Sequence, residues 1–290
     1  NRLLYLSYVK PGPDSLGTLA VARGRYEDDR LYNLEEIFHA KANGNGSERS
    51  SMWGGRIALD KEGYIYVTLG DRQWPSSGDL WAHPAQSLTN HNGTTVRLYA
   101  DGSVPDDNPL VGRENALPEI WTWGHRNAQG IAIHPETGDV WSNEHGPQGG
   151  DEVNLLRSGS NYGWPVVGYG VNYRTGLAIH HGTQQDGMDD PAHVWVPSIG
   201  VSGMIFYTGD AFPEWKGDMF VGGMSGERLV RLRIEGQEVV SEEVILQDMG
   251  RIREVQQGLD GLIYLAIDGG TRWEDGPPTQ IIRLEPAGMR

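Results

Sequence analysis

Four short clusters in this sequence concentrate the side chains that could do chemistry. In the first, residues 124–130 (GHRNAQG), Arg126, Asn127 and Gln129 lie between two glycines. A turn of this composition can present several hydrogen-bond donors to an anionic or carbonyl-rich ligand. It suits equally a hydrogen-bonded turn that only connects two strands, and composition does not separate the two interpretations.

The second cluster, residues 144–152 (EHGPQGGDE), combines glycines and a proline with carboxylates. Such turns expose main-chain carbonyl oxygens, and carbonyls together with carboxylates are the hard ligands that Ca²⁺ prefers. The spacing is not that of an EF-hand loop, so a solvated acidic turn fits this segment as well as a calcium site does.

The third cluster is a pair of arginines, Arg251 and Arg253, in a segment with strand character. Residues two apart on a strand share a face, so both guanidinium groups can point at one ligand. Two like charges side by side are unfavourable unless an anion neutralises them. The pair therefore indicates an anion site, with pairing to surface carboxylates as the alternative.

The fourth cluster is residues 51–56 (SMWGGR), followed after one strand by Asp71. Paired glycines allow the main chain to approach a neighbour or a ligand closely. Met52 and Trp53 are of types that more often pack in a core than contact a cofactor.

A repeat of short strands must position these clusters. An apolar strand, a polar turn containing glycine and a second apolar strand recur around Gly63, Gly138, Gly217 and Gly261. The last two glycines are 44 residues apart, which matches the ~40–50 residues of a four-stranded propeller blade. A β-sandwich would repeat its strands every ~8–12 residues without this longer period. We find no helix of normal length with caps and a 3.6-residue period.

We therefore predict an all-β chain, a six-bladed-type β-propeller of four-stranded antiparallel blades, with the N-terminal blade missing or incomplete. It is predicted to be a single domain over residues 1–290, with about five blades at 1–41, 52–120, 121–198, 199–250 and 251–287.

Composition excludes several classes of function. The formal net charge is −15, so the chain repels phosphate backbones and is not expected to bind nucleic acid. It contains no apolar run of the ~18–20 residues that a membrane span needs. It contains 0 cysteines, which excludes disulfides, thiolate metal sites and cysteine nucleophiles.

Taken in order, the clusters resemble the soluble aldose sugar dehydrogenases of the glucose/sorbosone dehydrogenase family. The resemblance covers almost the whole chain. Its most specific stretches are residues 124–130, 144–154 (EHGPQGGDEVN), 161–165 (NYGWP), 195–199 (WVPSI), 206–210 (FYTGD) and 252–258 (IREVQQG). It implies an enzyme that uses pyrroloquinoline quinone (PQQ) and calcium to oxidise aldose sugars at C1 to the lactone. It also implies a periplasmic or secreted protein whose signal peptide is not in this sequence.

The resemblance implies a role for each candidate residue. A quinone would be bound by Arg126, Asn127, Gln129, Arg251 and Arg253, and the calcium on that quinone by the carbonyls of Gly146 and Pro147. A second, structural calcium would be bound by Glu152 and Tyr162, Asp71 would orient the base, and Trp195 would stack on the sugar.

Two departures from the family pattern matter. The family's catalytic base is a histidine four residues before the arginine of His-x-Gly-Gly-Arg, and here that position is Met52. A thioether cannot take up a proton, so catalysis is expected to be impaired or altered, with His145 or Asp71 as substitute bases. In addition, the family has a segment before the strand that matches residues 3–8, and it carries a further quinone contact. The sequence leaves open whether this chain is a truncated part of a longer protein.

Two other functions remain open. Met52 favours a non-catalytic propeller that still binds quinone, calcium or sugar. A calcium-dependent lactonase or other hydrolase is less favoured, because such an enzyme does not need an arginine clamp for a tricarboxylate. The sequence does not identify the sugar, the electron acceptor or the oligomeric state.

Overall fold

The computed structural model of the protein describes residues 2–12, 17–42, 44, 51–268 and 279–287. Within these ranges the strands form five antiparallel sheets, and the helical elements are three 3₁₀ turns of 3 residues each. The prediction of an all-β chain with propeller-type blades is confirmed. In the part of the chain that is described, no helix combines the length and apolarity needed to cross a membrane.

The chain divides into two compact units. The first comprises residues 1–128, 157–168 and 178–190, and the second the remainder. The first unit holds two sheets, with strands β1 (Leu3–Lys10), β2 (Thr18–Glu27) and β3 (Arg30–His39), then β4 (Gly54–Leu59), β5 (Tyr64–Leu69), β6 (Thr94–Tyr99) and β7 (Ile120–Trp123).

The second unit holds the other three sheets. Their strands are β8 (Ala128–Ile133), β9 (Val140–Glu144), β10 (Asp151–Leu156) and β11 (His193–Trp195); β12 (Val201–Phe206), β13 (Met219–Gly223), β14 (Arg228–Glu235) and β15 (Glu238–Gln247); and β16 (Arg251–Gln257), β17 (Ile263–Asp268) and β18 (Gln280–Leu284).

Apolar strand residues build the core of each unit. In the first unit, buried side chains of β2, β5 and β6 pack into one cluster that includes Val21, Val67 and Val96. In the second, the core between the third and fourth sheets includes Trp141 and Val230. Burying each such side chain stabilises the fold by roughly 1.5–3 kcal/mol before entropy is counted.

The four repeat glycines lie where the pattern predicts them. Gly63, Gly138, Gly217 and Gly261 each lie between the first two strands of a different sheet. Their φ angles are 90°, 78°, 89° and 77°, in the region that glycine adopts without steric cost. The hairpin repeat is therefore a true repeat of sheets.

The structure moves one predicted blade boundary and gives the strand count of each sheet within the described residues. Strand β7 pairs with β6 and completes the second sheet, so the predicted boundary after residue 120 was placed a few residues too early. Three of the five sheets have four strands, whereas the first and fifth have three within the described residues. The incomplete sixth blade and the single-domain assignment stay predictions.

A matched pair of glycine substitutions tests the packing of the first two sheets. Gly63 and Gly102 have similar φ angles, 90° and 87°. A Cβ on Gly63 would have no neighbour within 4 Å, whereas one on Gly102 would overlap with the carbonyl of Ile37 on β3. Gly63→Ala should cost only the ~1–2 kcal/mol of a left-handed conformation, and Gly102→Ala a further ~1–3 kcal/mol of overpacking. Thermal unfolding of both variants measures the difference, and equal shifts would contradict the close contact between these sheets.

Candidate active site

The Asp71 carboxylate organises the candidate residues of the first unit. Asp71 follows β5 and is 1% exposed. Its Oδ2 accepts a hydrogen bond from Nε1 of Trp164 at 2.7 Å, and its Oδ1 accepts one from the amide of Gln73 at 2.8 Å. Its own amide donates to the carbonyl of Arg126 at 2.8 Å. A buried carboxylate with these partners is fixed in orientation, as a residue that orients a neighbour must be.

Residues 124–127 form the link between β7 and β8. Arg126 and Asn127 are 8% and 7% exposed. The guanidinium carbon of Arg126 lies 5.2 Å from the centroid of the Trp164 ring, within the range of a cation–π contact. The indole that holds Asp71 therefore also positions Arg126.

The main chain at Met52 lies against the same link. Met52 has a φ of 57°, and a Cβ on Gly70 would overlap with the Met52 carbonyl and lie 2.9 Å from Oδ1 of Asn127. The same Oδ1 accepts a hydrogen bond from the amide of Gly54 at 3.3 Å. Met52, Asp71 and Asn127 are thus brought together in this unit.

Arg72 anchors the segment that carries Met52. It is 1% exposed, and its guanidinium carbon lies 3.2 Å from the centroid of the Trp53 ring. It donates hydrogen bonds to the carbonyls of Ser51 at 3.3 Å and Ala42 at 3.2 Å. Burial lowers the pKa of Arg72 to about 10, against the opposing effect of Asp71, and the group remains a cation at neutral pH.

A buried histidine also lies near Asp71. Nε2 of His83 is 3.9 Å from Oδ2 of Asp71. Burial lowers the pKa of His83 to about 4, although a hydrogen bond with the Trp74 carbonyl acts in the opposite direction. Its Nδ1 accepts a hydrogen bond from the amide of Ala85 at 3.2 Å. His83 is therefore neutral at physiological pH, and both of its ring nitrogens are engaged.

In the second unit, the Asp151 carboxylate organises the acidic turn. Asp151 is 2% exposed. Its Oδ1 accepts from the amide of Gly146 at 3.0 Å, and its Oδ2 accepts from the amides of Gly200 at 2.6 Å and Val201 at 3.0 Å. This carboxylate fixes the start of the turn whose Gly146 and Pro147 carbonyls are predicted to bind calcium.

Two carboxylates face each other beside this turn. Glu144 on β9 and Glu152 on β10 are directly opposite in the antiparallel ladder. Nδ2 of Asn154 donates to Oε1 of Glu144 at 3.1 Å and to Oε2 of Glu152 at 3.3 Å. Like charges at opposed positions are destabilising unless something neutralises them, so this pair fits a bound cation.

His145 is attached to the next sheet. Its Nε2 lies 2.6 Å from the carbonyl of Val201. Because a carbonyl oxygen can only accept, Nε2 carries the proton, and Nδ1 is the ring atom with a lone pair in the neutral form. A role for His145 as a base would therefore have to use Nδ1.

Arg251 and Arg253 lie side by side on β16. Nε of Arg253 donates to Oδ2 of Asp268 at 3.0 Å, and Nε of Arg251 is 3.8 Å from the same oxygen. Nη2 of Arg251 and Nη1 of Arg253 both approach Sδ of Met224, at 3.9 and 2.9 Å. Among the described residues, the partners of these two cations are one carboxylate and one thioether, and a thioether is a weak acceptor.

Three further candidates have less distinctive surroundings. Trp195 ends β11, is 6% exposed and belongs to the core between the third and fourth sheets; this burial gives it a packing role, and sugar stacking remains a prediction. Tyr162 is 5% exposed and stacks on His125 with ring centroids 4.7 Å apart. Gln129 is half-buried on β8.

The candidates thus fall into two groups. Met52, Asp71, Arg126, Asn127 and Tyr162 belong to the first unit. The second unit contains Gln129, His145, Gly146, Pro147, Glu152, Trp195, Arg251 and Arg253. A shared quinone pocket and a calcium site that joins Glu152 to Tyr162 would need residues of both groups and stay predictions.

Comparison with known proteins decides the family. The Glucose / Sorbosone dehydrogenase family model matches residues 1–274. The chain belongs to the glucose/sorbosone dehydrogenase family. The resemblance that the sequence motifs indicate is therefore confirmed.

Relatives within the glucose/sorbosone dehydrogenase family include enzymes of named activity. The aldose sugar dehydrogenase YliI of Escherichia coli (strain K12) is 37% identical over 274 residues, which cover 92% of this chain and 71% of that protein. Quinoprotein glucose dehydrogenase B of Acinetobacter calcoaceticus is 38% identical over 128 residues, 40% of this chain and 26% of that protein. A crystal structure of a glucose dehydrogenase superposes with a TM-score of 0.88 at 39% identity, covering 99% of this chain and 79% of that one.

Sequence reasoning missed several residues that position this family's candidate site. Trp164 lies within the quoted NYGWP stretch, but nothing in the motif indicated that its indole holds Asp71. Asp151 lies within the acidic turn, whose pattern fits a calcium site and a solvated turn equally well. The sequence contained a signal for each residue. Asp151 is followed by an apolar strand, and Trp164 lies between a glycine and a proline. Both arrangements are unusual in solvated turns.

Removing the Asp151 charge tests how the turn is held. Asp151→Asn replaces one acceptor oxygen by an N–H group that faces main-chain donors, so it should lower the free energy of unfolding by ~1–3 kcal/mol. Asp210→Asn is the control, because Asp210 is 93% exposed and pairs only with exposed Lys216, and it should change stability by less than ~0.5 kcal/mol. Chemical denaturation measures both variants, and an Asp151→Asn variant as stable as the control would contradict this account of the turn.

Proposed function

We propose that this protein is a PQQ- and calcium-dependent aldose dehydrogenase that oxidises the sugar at C1 to the lactone, slowly because Met52 occupies the position of the family's base. The observation that carries the proposal is the Arg251–Arg253 pair in a chain of net charge −15. The names of two relatives support it, an aldose sugar dehydrogenase and a quinoprotein glucose dehydrogenase.

The arginine pair fits an anionic cofactor. Nε of Arg251 is buried and has no hydrogen-bond partner among the described residues. An orphaned buried donor on a cation is costly unless an acceptor reaches it. The carboxylates of PQQ would supply such acceptors to Arg251 and Arg253. Arg126 and Asn127 of the link and Gln129 of β8 would add donors. Bound PQQ would supply an acceptor for one hydride, which carries both electrons of the oxidation.

The acidic turn fits calcium. The facing carboxylates of Glu144 and Glu152 favour a cation, and the Gly146–Gly150 turn brings main-chain carbonyls close together, since a Cβ on Gly146 would overlap with the carbonyls of Gly149 and Gly150. Oxygen-only ligation of this kind is typical of Ca²⁺. Gly146 and Pro147 would contribute carbonyls to one ion, and Glu152 with Tyr162 would hold a second.

The proton of the sugar's C1 hydroxyl presents the difficulty. When hydride leaves C1, that proton must also leave, or positive charge accumulates on the sugar. Asp71 follows Gly70, whose main chain lies against the Met52 carbonyl, but the Met52 side chain provides no atom that can take up the proton. A missing general base typically lowers the rate by ~10²–10⁴-fold.

Met52 also favours a second candidate function, a non-catalytic propeller that binds quinone or sugar. The site would then retain its arginines and its acidic turn, and it would bind quinone or sugar without oxidising the sugar. A calcium-dependent lactonase or other hydrolase accounts less well for the arginine pair. The dehydrogenase proposal includes a location: we expect the protein to be periplasmic or secreted.

Substitution of Met52 tests the function directly. With PQQ and calcium added, the protein should oxidise aldoses slowly in a dye-linked assay, and Met52→His should raise kcat by ~10²-fold or more. Chelation with EGTA should abolish the activity of both forms. Binding of PQQ without turnover in either form would favour the non-catalytic alternative, and rapid turnover that Met52→His leaves unchanged would show that this position is not the site of the base.

The affinity for PQQ provides a separate test of the role of Arg251 and Arg253. Arg251→Ala should weaken PQQ binding by ~1–3 kcal/mol, about 5–150-fold in Kd. Arg233→Ala removes the same charge from an exposed pair with Glu235 in the same unit and should leave the affinity within ~2-fold. Equilibrium titration of PQQ absorbance or protein fluorescence measures both, and equal weakening would mean that only net charge matters.

A further inference from the structure

The Trp164 indole contacts a third residue, His180, in addition to Asp71 and Arg126. The ring of His180 lies edge-on to that of Trp164, with centroids 5.5 Å apart and an interplanar angle of 67°. His180 belongs to residues 178–190 of the first unit, in the long loop between β10 and β11. His180 and the two candidate site residues thus contact one indole.

A main-chain hydrogen bond fixes the tautomer of His180. Its Nδ1 lies 2.7 Å from the carbonyl of Pro165. Because that oxygen can only accept, Nδ1 carries the proton and Nε2 has the lone pair in the neutral ring. Gly168 leaves room for the ring, since a Cβ there would lie 2.7 Å from Nε2.

Nε2 of His180 is buried and has no hydrogen-bond partner among the described residues. A buried nitrogen lone pair without a donor is a cost that a ligand hydroxyl would relieve. Burial lowers the pKa of His180 from its ordinary value, and Arg126, the charged group that acts on the ring, lowers it further, whereas the hydrogen bond to the Pro165 carbonyl acts in the opposite direction. The ring is therefore neutral, and able to accept a proton, at physiological pH.

The fully buried histidines of the first unit differ from His180, because Nε2 of each lies near a protein oxygen, although Nε2 of His91 also makes no hydrogen bond among the described residues. His83 has both ring nitrogens engaged, as described above. His91 accepts from the amide of Lys41 through Nδ1 at 2.8 Å, and its Nε2 lies 3.1 Å from Oε1 of Glu119. Nε2 of His125 lies 2.9 Å from Oγ1 of Thr122.

We propose that Nε2 of His180 accepts the proton of the sugar's C1 hydroxyl in this chain and partly replaces the base that is absent at position 52. This inference rests on the proposed function. The hydroxyl O–H bond breaks and an N–H bond forms on Nε2, while the C1 hydrogen leaves with its electron pair to the quinone as oxidant. The sugar becomes the lactone, and the imidazolium passes its proton to the water that replaces the lactone when the lactone leaves.

The test is a double-mutant cycle. His180→Asn keeps a donor for the Pro165 carbonyl but removes the Nε2 acceptor, and it should lower kcat for aldose oxidation by at least ~10-fold, with PQQ affinity unchanged. It should also remove the acidic limb of the kcat–pH profile, which lies below the ordinary histidine pKa of ~6.5. In the Met52→His background, His180→Asn should change kcat by less than ~3-fold, because the new base acts instead.

His181→Gln is the matched control, since it alters the neighbouring histidine of the same loop, and it should preserve both kcat and the pH profile. If His180→Asn behaves like this control while the unsubstituted protein binds PQQ and oxidises aldoses, the His180 assignment is wrong and the proposed function stands. If the protein neither binds PQQ nor oxidises an aldose, the proposed function fails and the assignment fails with it.

A measurement without turnover provides a second criterion. Nitrogen NMR of the unsubstituted protein should show Nδ1 of His180 protonated and Nε2 bare. With reduced PQQ bound, addition of glucose should shift the Nε2 resonance, because a hydroxyl now donates to it. An Nε2 resonance that glucose leaves unchanged, or a ring protonated on Nε2, would overturn the proposal.

Discussion

The hydrogen bond between the Trp164 indole and the buried Asp71 carboxylate is the interaction on which the candidate site of the first unit depends. It joins the end of β5 to a loop that lies 93 residues further along the chain. A carboxylate 1% exposed is tolerable only when donors surround it, since burying an uncompensated charge costs several kcal/mol. Trp164 and the amide of Gln73 meet that requirement, and in doing so they fix where Arg126 and His180 can lie.

The second unit uses the same device at Asp151. There the carboxylate gathers three main-chain amides from two segments, one at Gly146 and the other at Gly200 and Val201. Charge-assisted bonds to amides are shorter and stronger than neutral ones, so a glycine-rich turn that would otherwise be loose acquires a fixed geometry. A calcium site benefits from preorganised carbonyls, because the entropy of ordering the turn is then lost when the protein folds and not when the ion binds.

Local pattern predicted the strands and turns, because each depends on residues close in sequence. The alternation in β1 and the glycine turn at Gly63 show this, as does the pairing of Arg251 with Arg253 on one strand. The contacts of Trp164 and His180 could not be predicted in this way. Each is defined by a contact with a distant segment or by the absence of a partner for one ring atom, and neither property has a local sequence signal. The position of β7 was missed for the same reason, since only its pairing with β6 assigns it to a sheet.

The main-chain conformation at position 52 does not depend on the Met52 side chain. Met52 has a φ of 57°, a conformation that is uncommon for residues other than glycine and in which histidine is several-fold enriched over most others. Its carbonyl lies so close to Gly70 that a Cβ there would overlap with it, so the main chain is fixed by contacts that do not involve the thioether. The side chain at this position is therefore free to vary without a change in the path of the chain. Under the proposed function, Met52 in place of the family's histidine would remove a proton acceptor while the main-chain contacts with Gly70 and the Gly54–Asn127 hydrogen bond stay in place.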